Sequence, residues 1–356
     1  MEPSATDEVL IRREGRAGRI TMNRPKALNA LTYGMVTQIW SALVAWRDDA
    51  SVELILLDGT GDRALCAGGD VRSLYDSRTN GSSFARAFWA DEYRLNALIG
   101  RYPKPYIAVQ DGIVMGGGIG LSGHAAHRIV TERSRLAMPE TGIGLIPDVG
   151  GTWLLAHSPG QTGLYLGLTG ENMNAADAIH ARFADTLVPS GKLATLAARL
   201  CDPKGGDVRT LIAEHAQKPE PSHLVASGAD IDTAFASDTI EGVLETLAKM
   251  PGTWAATASA TLAQKSPKAL KLTFAAIRNG RRLTSLEAAL TIEYRLTVRL
   301  FEDGEFPEGV RALIVDKDRK PQWSPARLGD VTDDLIARYL APLPIGEELT
   351  FEGEGA

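Results

Sequence analysis

Short apolar or alternating runs punctuated by glycine dominate the first part of the chain, and helical spacing takes over later. Residues 9–11 and 19–22 predict two strands around the turn EGRAG, and 33–46 carry apolar residues at helical spacing, which gives a strand, strand, helix unit. LILLDG from Leu54 predicts a buried strand, 84–99 an amphipathic helix, and YIAVQDG after Pro103 and Pro105 another buried strand, so the unit recurs. Beyond a glycine run, the pattern predicts a short helix to about Ala126 and the strand RIVTE. Strands at 135–137 and 183–188 then alternate with helices through Leu200. Such alternation points to an α/β fold of parallel layers covered by helices.

From 202 to 251 the text shifts to KPEPS, Gly, Ala and scattered charge. From Trp254 it becomes strongly helical, most clearly in SLEAALTIEYRLTVRLF, before the proline-rich DKDRKPQWSPARL. Three parts are expected: a core with the site at 1–201, a partly helical insertion or linker at 202–252, and a C-terminal helical region at 253–356 that packs on the core.

With 356 residues, 44% hydrophobic and 23% charged, the chain can bury a substantial core. Its 38 basic and 44 acidic residues give a net charge of −6 without a long single-sign run, which argues against nucleic-acid and membrane-surface partners. No apolar run reaches spanning length, and the start, MEPSATDEVLIRREG, has acidic residues and no apolar signal core, so a cytoplasmic location is expected. Cys66 and Cys201 have neither metal-ligand spacing nor the density of a disulfide framework.

The run IVMGGGIGLSG has two readings: a close-packed strand-to-helix connection, or a helix N-terminus whose free N–H groups face a phosphate or a developing oxyanion. It contains a formal G-x-G-x-x-G at Gly118, Gly120 and Gly123. The helix after it is too short for a dinucleotide fold, and the acid that should end the next strand about 20 residues on is misplaced, since Glu132 comes early and Glu140 lies in a Pro-led loop. A P-loop lacks its Gly-Lys-Ser/Thr.

In MPETGIGLIPDVGG, Glu140 and Asp148 each follow a proline among glycines and aliphatics. Alone, they are either loop residues facing water or pocket carboxylates whose burial and repulsion raise a pKa. Glu92 lies on the helix 84–99 and by default is a surface charge. His124 and His127 lack a third ligand, so no metal site is expected, and Cys66 reads as a small buried hydrophobe rather than a nucleophile.

Four ordered motifs carry a resemblance: RPKALNAL from Arg24, ALCAGGD ending at Asp70, DGIVMGGGIGLS from Asp111 and MPETGIGLIPDVGGT from Met138. They resemble the crotonase, or enoyl-CoA hydratase/isomerase, superfamily, which implies a spiral of strand-strand-helix turns with a C-terminal helical region. It also implies an acyl-CoA substrate, no separate cofactor because coenzyme A is part of that substrate, and an oxyanion hole from the backbone N–H groups of Gly69 and Gly117. Relatives often form trimers, so a homo-oligomer is open to this chain, although residues 202–252 and the long tail could cover the surface such trimers use.

Hydratases of the superfamily carry a first catalytic glutamate where this chain has Gly120. Only the second, matching Glu140, is kept, and Asp148 stands where hydratases commonly have a small residue. That pattern, together with FWADEY and EGVRALIVDKDRKPQW from Glu308, resembles the branch that hydrolyses 3-hydroxyacyl-CoA thioesters, with 3-hydroxyisobutyryl-CoA and valine breakdown implied. Glu140 is then the nucleophile or general base, Asp148 orients the 3-hydroxyl or the water, and Glu92 completes the acyl pocket. An enoyl-CoA hydratase or isomerase and a non-catalytic acyl-CoA-binding protein are the competing readings.

Overall fold

A computed structural model describes residues 7–351. Nine strands form: β1 (Val9–Glu14), β2 (Ala17–Met22), β3 (Leu54–Gly59), β4 (Ala64–Cys66), β5 (Tyr106–Gln110), β6 (Ile113–Met115), β7 (His127–Val130), β8 (Arg135–Ala137) and β9 (Thr186–Leu187). A six-stranded sheet has the order β1-β2-β3-β5-β7-β9, and a three-stranded sheet the order β4-β6-β8. Successive strand pairs β3/β4, β5/β6 and β7/β8 thus place one strand in each sheet, and this repetition winds the chain into the expected spiral. After the antiparallel β1–β2 hairpin, the pairings of the larger sheet are parallel.

The described residues form two compact units that interleave along the sequence. The first comprises 7–69, 94–136 and 172–225; the second comprises 70–93, 137–171 and 226–351. The first unit holds the large sheet, whose apolar face (Leu54, Leu56, Ile107 and Ile129) packs with Leu196, Leu200, Leu211 and Ile212 of the helices Leu193–Cys201 and Val208–His215. The second is helical, and the helix Pro267–Gly280 packs on Gly151–Ala156 and Thr162–Thr169. Small residues permit that closeness: a Cβ on Gly280 would lie 2.9 Å from Ala156 Cβ. The segment 202–252 contributes four helices, Val208–His215, His223–Ala226, Gly228–Ala234 and Ile240–Lys249, divided between the units after Val225.

Two local expectations change. The helix after the glycine run ends at Ser122 rather than near Ala126, because the chain must enter β7, where His127 pairs with Ile107. The strand expected at 183–188 shrinks to Thr186–Leu187, since the N–H groups of Phe183 and Ala184 turn back to the Ala178 carbonyl and close the preceding helix. β4 has only three residues, too few to show a period. Among the described residues, no helix is long and apolar enough to cross a membrane.

Candidate active site

In the first unit, β4 and β6 are parallel neighbours with Cys66 opposite Val114, so both release the chain at the same edge. Gly69 and Gly117 each follow three residues later, as matching positions in two adjacent loops. Gly68 (φ +115°) and Gly116 (φ +46°) turn these loops in the left-handed region, which glycine enters at little cost. Gly116 leads into the helix Gly117–Ser122, and a Cβ on Gly118 would lie 2.2 Å from the Cys66 carbonyl oxygen. The glycine run therefore serves both readings drawn from sequence, as close packing and as a helix N-terminus. Cys66 is the fully buried end of β4.

In the second unit, Glu92, Glu140 and Asp148 come together, each at most 5% exposed. Burial displaces the surface placement that is the default for a helical Glu92 and the water-facing reading of the two loop acids. The helix Ser83–Gly100 supplies Glu92 and, next to it, Tyr93, whose hydroxyl donates to Asp148 Oδ2 at 2.7 Å. Thr297 Oγ1 lies farther from that hydroxyl, at 3.4 Å, so Asp148 takes its single proton.

Glu140 opens the 3-10 turn Glu140–Ile143, which follows Met138 and Pro139 after β8 and closes at Gly144, φ +71°. The surroundings wedge this turn. A Cβ on Gly144 would sit 2.4 Å from the Glu305 carbonyl and 3.0 Å from the Trp323 ring, and one on Gly309 would be 2.2 Å from the Ile143 backbone. Gly309 and Trp323 belong to EGVRALIVDKDRKPQW, so this late motif buttresses the turn that begins with Glu140. Within it, Arg311 fixes the acidic loop through Asp316 at 2.7 Å and Asp318 at 2.8 Å.

Burial, and then the Asp148 charge, push both Glu92 and Glu140 well above the ordinary carboxyl range. Half-buried Lys265 pulls Glu140 the other way without overcoming those effects. Burial raises Asp148 to about 6 against the pull of the Tyr93 hydrogen bond. Among the described residues, Glu140 Oε2 and Glu92 Oε1 are buried with no hydrogen-bond partner, which suits groups kept for a bound molecule. A raised carboxyl is a serviceable base near neutral pH.

Sequence reasoning missed Tyr93 and a fourth buried acid, Glu293. Glu293 shares an inward face with Ala289, Leu290, Leu296 and Leu300 in the helix Leu286–Glu302, and a glutamate within an apolar helical stripe was the available signal. Its carboxylate accepts from Gly150 N at 2.7 Å and from Thr152 N at 2.9 Å, and also from the Thr152 hydroxyl. Burial raises Glu293 to about 8 despite these donors. Among the described residues, no His, Cys, Asp and Glu group is arranged to hold a metal.

The family model described as enoyl-CoA hydratase/isomerase matches residues 17–340. Curated relatives include the proteins named 3-hydroxyisobutyryl-CoA hydrolase, mitochondrial, of Danio rerio (40% identical, over 96% of this chain and 92% of that one). The protein of the same name from Homo sapiens is 38% identical over 95% of this chain and 90% of that one. A solved carnitinyl-CoA dehydratase from Mycobacterium thermoresistibile superposes with a TM-score of 0.93 at 45% identity, covering 98% of this chain and all of that one. An enoyl-CoA hydratase structure from Rhodobacter sphaeroides gives 0.92 at 42% identity, with 97% and 100% coverage. The motifs, the spiral of strand pairs and these matches together make this chain a member of the enoyl-CoA hydratase/isomerase, or crotonase, family.

Proposed function

We propose that this chain hydrolyses a short 3-hydroxyacyl-CoA thioester, 3-hydroxyisobutyryl-CoA, to 3-hydroxyisobutyrate and coenzyme A. The observation that carries the reading is the catalytic carboxylate set: Glu140 and Asp148 are buried together, while Gly120, the position of the first hydratase glutamate, offers no side chain. The mitochondrial hydrolases that match nearly the full length support it.

In this mechanism the thioester oxygen accepts from the N–H groups of Gly69 and Gly117, which stabilise the negative charge it gains. Glu140 either attacks the carbonyl carbon, expelling the thiolate and leaving a mixed anhydride that water opens, or removes a proton from the water that attacks directly. A thiolate with a pKa of about 8.5 leaves without a strong acid, so one main carboxylate suffices. Asp148 orients the 3-hydroxyl or the water, and Glu92 completes the polar end of the acyl pocket. This chemistry needs no cofactor apart from the coenzyme A of the substrate. A role in valine breakdown, a cytoplasmic location and association into a homo-oligomer are finer parts of the proposal and rest on the sequence reading.

The names of the two solved structures favour a second reading, hydration or dehydration of an acyl-CoA, with Glu140 and Asp148 as the pair. A thiol-trapping assay on 3-hydroxyisobutyryl-CoA, run beside the ultraviolet absorbance of a 2-enoyl-CoA, separates the two. Thiol release with unchanged enoyl absorbance is expected. Loss of enoyl absorbance without thiol release would establish the hydratase, and silence in both assays with retained acyl-CoA binding would leave a non-catalytic binder.

A further inference from the structure

Asp148 is followed by two left-handed residues, Val149 at φ +54° and Gly150 at φ +78°. For a β-branched valine this conformation is an outlier, and it persists only where the surroundings over-determine it. Two groups grip the turn from opposite ends. The Tyr93 hydroxyl holds the Asp148 carboxylate, and Glu293 takes the donors of Gly150 and Thr152 on the far side of Val149. Between them, Gly151 N donates to the Asp148 carbonyl at 2.6 Å and closes the loop.

Glu293 is fully buried, on a helix face otherwise filled by apolar side chains. Packing alone would not keep a carboxylate there, since an isolated buried charge is costly. Convergence of three donors on its two oxygens makes it an anchor for this loop.

We propose that Glu293 is a positioning residue: by gripping Gly150 and Thr152 it holds the left-handed Val149–Gly150 turn and so sets the direction of the Asp148 carboxylate. The inference rests on the reading of Asp148 as the group that orients substrate or water. Glutamine tests it sharply. Its amide has one oxygen and one NH2, so whichever way it faces, one of the two backbone N–H groups loses its acceptor while the side-chain volume is kept.

The test is a double-mutant cycle on the purified full chain with 3-hydroxyisobutyryl-CoA, comparing wild type, Glu293→Gln, Asp148→Asn and the double variant, with melting curves to verify folding. Glu293→Gln is expected to lower kcat by about 10- to 100-fold with little change in KM, as displacement of a reacting-site group does. The double variant should be no slower than Asp148→Asn, because Glu293 acts through Asp148. Should Glu293→Gln unfold, Thr152→Val removes only the hydroxyl donor and should give a smaller kcat loss with the same non-additivity.

Wild-type kcat in a folded Glu293→Gln protein, or losses that multiply in the double variant, would overturn the inference. If wild type releases no thiol, the hydrolase reading fails by itself. The same cycle is then scored on acyl-CoA affinity, where independent effects would again overturn the role of Glu293.

Discussion

In the proposed mechanism the glycine loops after β4 and β6 supply donors from the main chain, each within a short stretch of consecutive residues. The carboxylates come instead from three segments far apart in sequence, Glu92, the stretch that carries both Glu140 and Asp148, and Glu293. Backbone donors need only the right turn, which Gly68 and Gly116 make, and a close approach to the Cys66 carbonyl, which Gly118 permits. Side-chain acids must be buried side by side, where burial and the Asp148 charge make Glu92, Glu140 and Glu293 costlier to ionise, so they depend on many distant contacts. The first arrangement is written locally; the second exists only in the folded chain.

The largest expected effect lies on the acidic side. Glu140→Ala should reduce thiol release by about 10³-fold or more, the scale of losing a nucleophile or base, while acyl-CoA binding measured by calorimetry stays near wild type. Turnover at the wild-type rate would remove Glu140 from the chemistry. Single turnover in labelled water, followed by mass analysis of the peptide bearing Glu140, tests the covalent route: water that opens the anhydride at the Glu140 carboxyl carbon leaves the isotope in this carboxylate, whereas general-base attack leaves it unlabelled.

On the glycine side, Gly118→Ala places a methyl against the Cys66 carbonyl, at a Cβ distance of 2.2 Å where only backbone can yield. Denaturant unfolding should show a loss of about 1–3 kcal/mol, typical of overpacking. Because the shift strains both glycine loops, kcat should fall by about 10²-fold, near the cost of one oxyanion donor. A stable variant with full activity would mean that the loop tolerates displacement, and that the contrast between the two regions is overstated.

The mildest change sharpens the electrostatic side. Tyr93→Phe removes the donor to Asp148 and should lower kcat about tenfold, since a hydrogen bond to a charged group is worth about 1.5 kcal/mol or more. The sign of the accompanying pH shift follows from the bond it loses. Tyr93 holds Asp148 down, so without it the Asp148 carboxyl rises above about 6. Activity that needs ionised Asp148 is lost as pH falls through that value, and the acid limb of the kcat profile should therefore move to higher pH. An unmoved limb would detach that limb from Asp148.

Much of the first region was legible before folding. The strand LILLDG, the helix starting near Phe84, YIAVQDG and the glycine loops follow from period, length and turn chemistry. The motifs named Gly69, Gly117, Glu140 and Asp148 directly. Tyr93 and Glu293 were not named, because a tyrosine beside an acid and a glutamate in an amphipathic helix are each commonplace until their partners are known. The role of EGVRALIVDKDRKPQW was also hidden, since pressing Gly309 and Trp323 against the turn from Glu140 to Gly144 joins residues more than 160 apart in sequence.

By itself, then, the sequence determined the longer buried strands, the turns that glycine makes at little cost and the absence of a side chain at Gly120, because these depend on neighbouring residues and backbone sterics. The tertiary structure decided which acids are buried together, which of them is held by Tyr93 and which grips the Asp148 loop. Burial and charge repulsion act through space, and no local pattern records how close Glu92, Glu140, Asp148 and Glu293 will come.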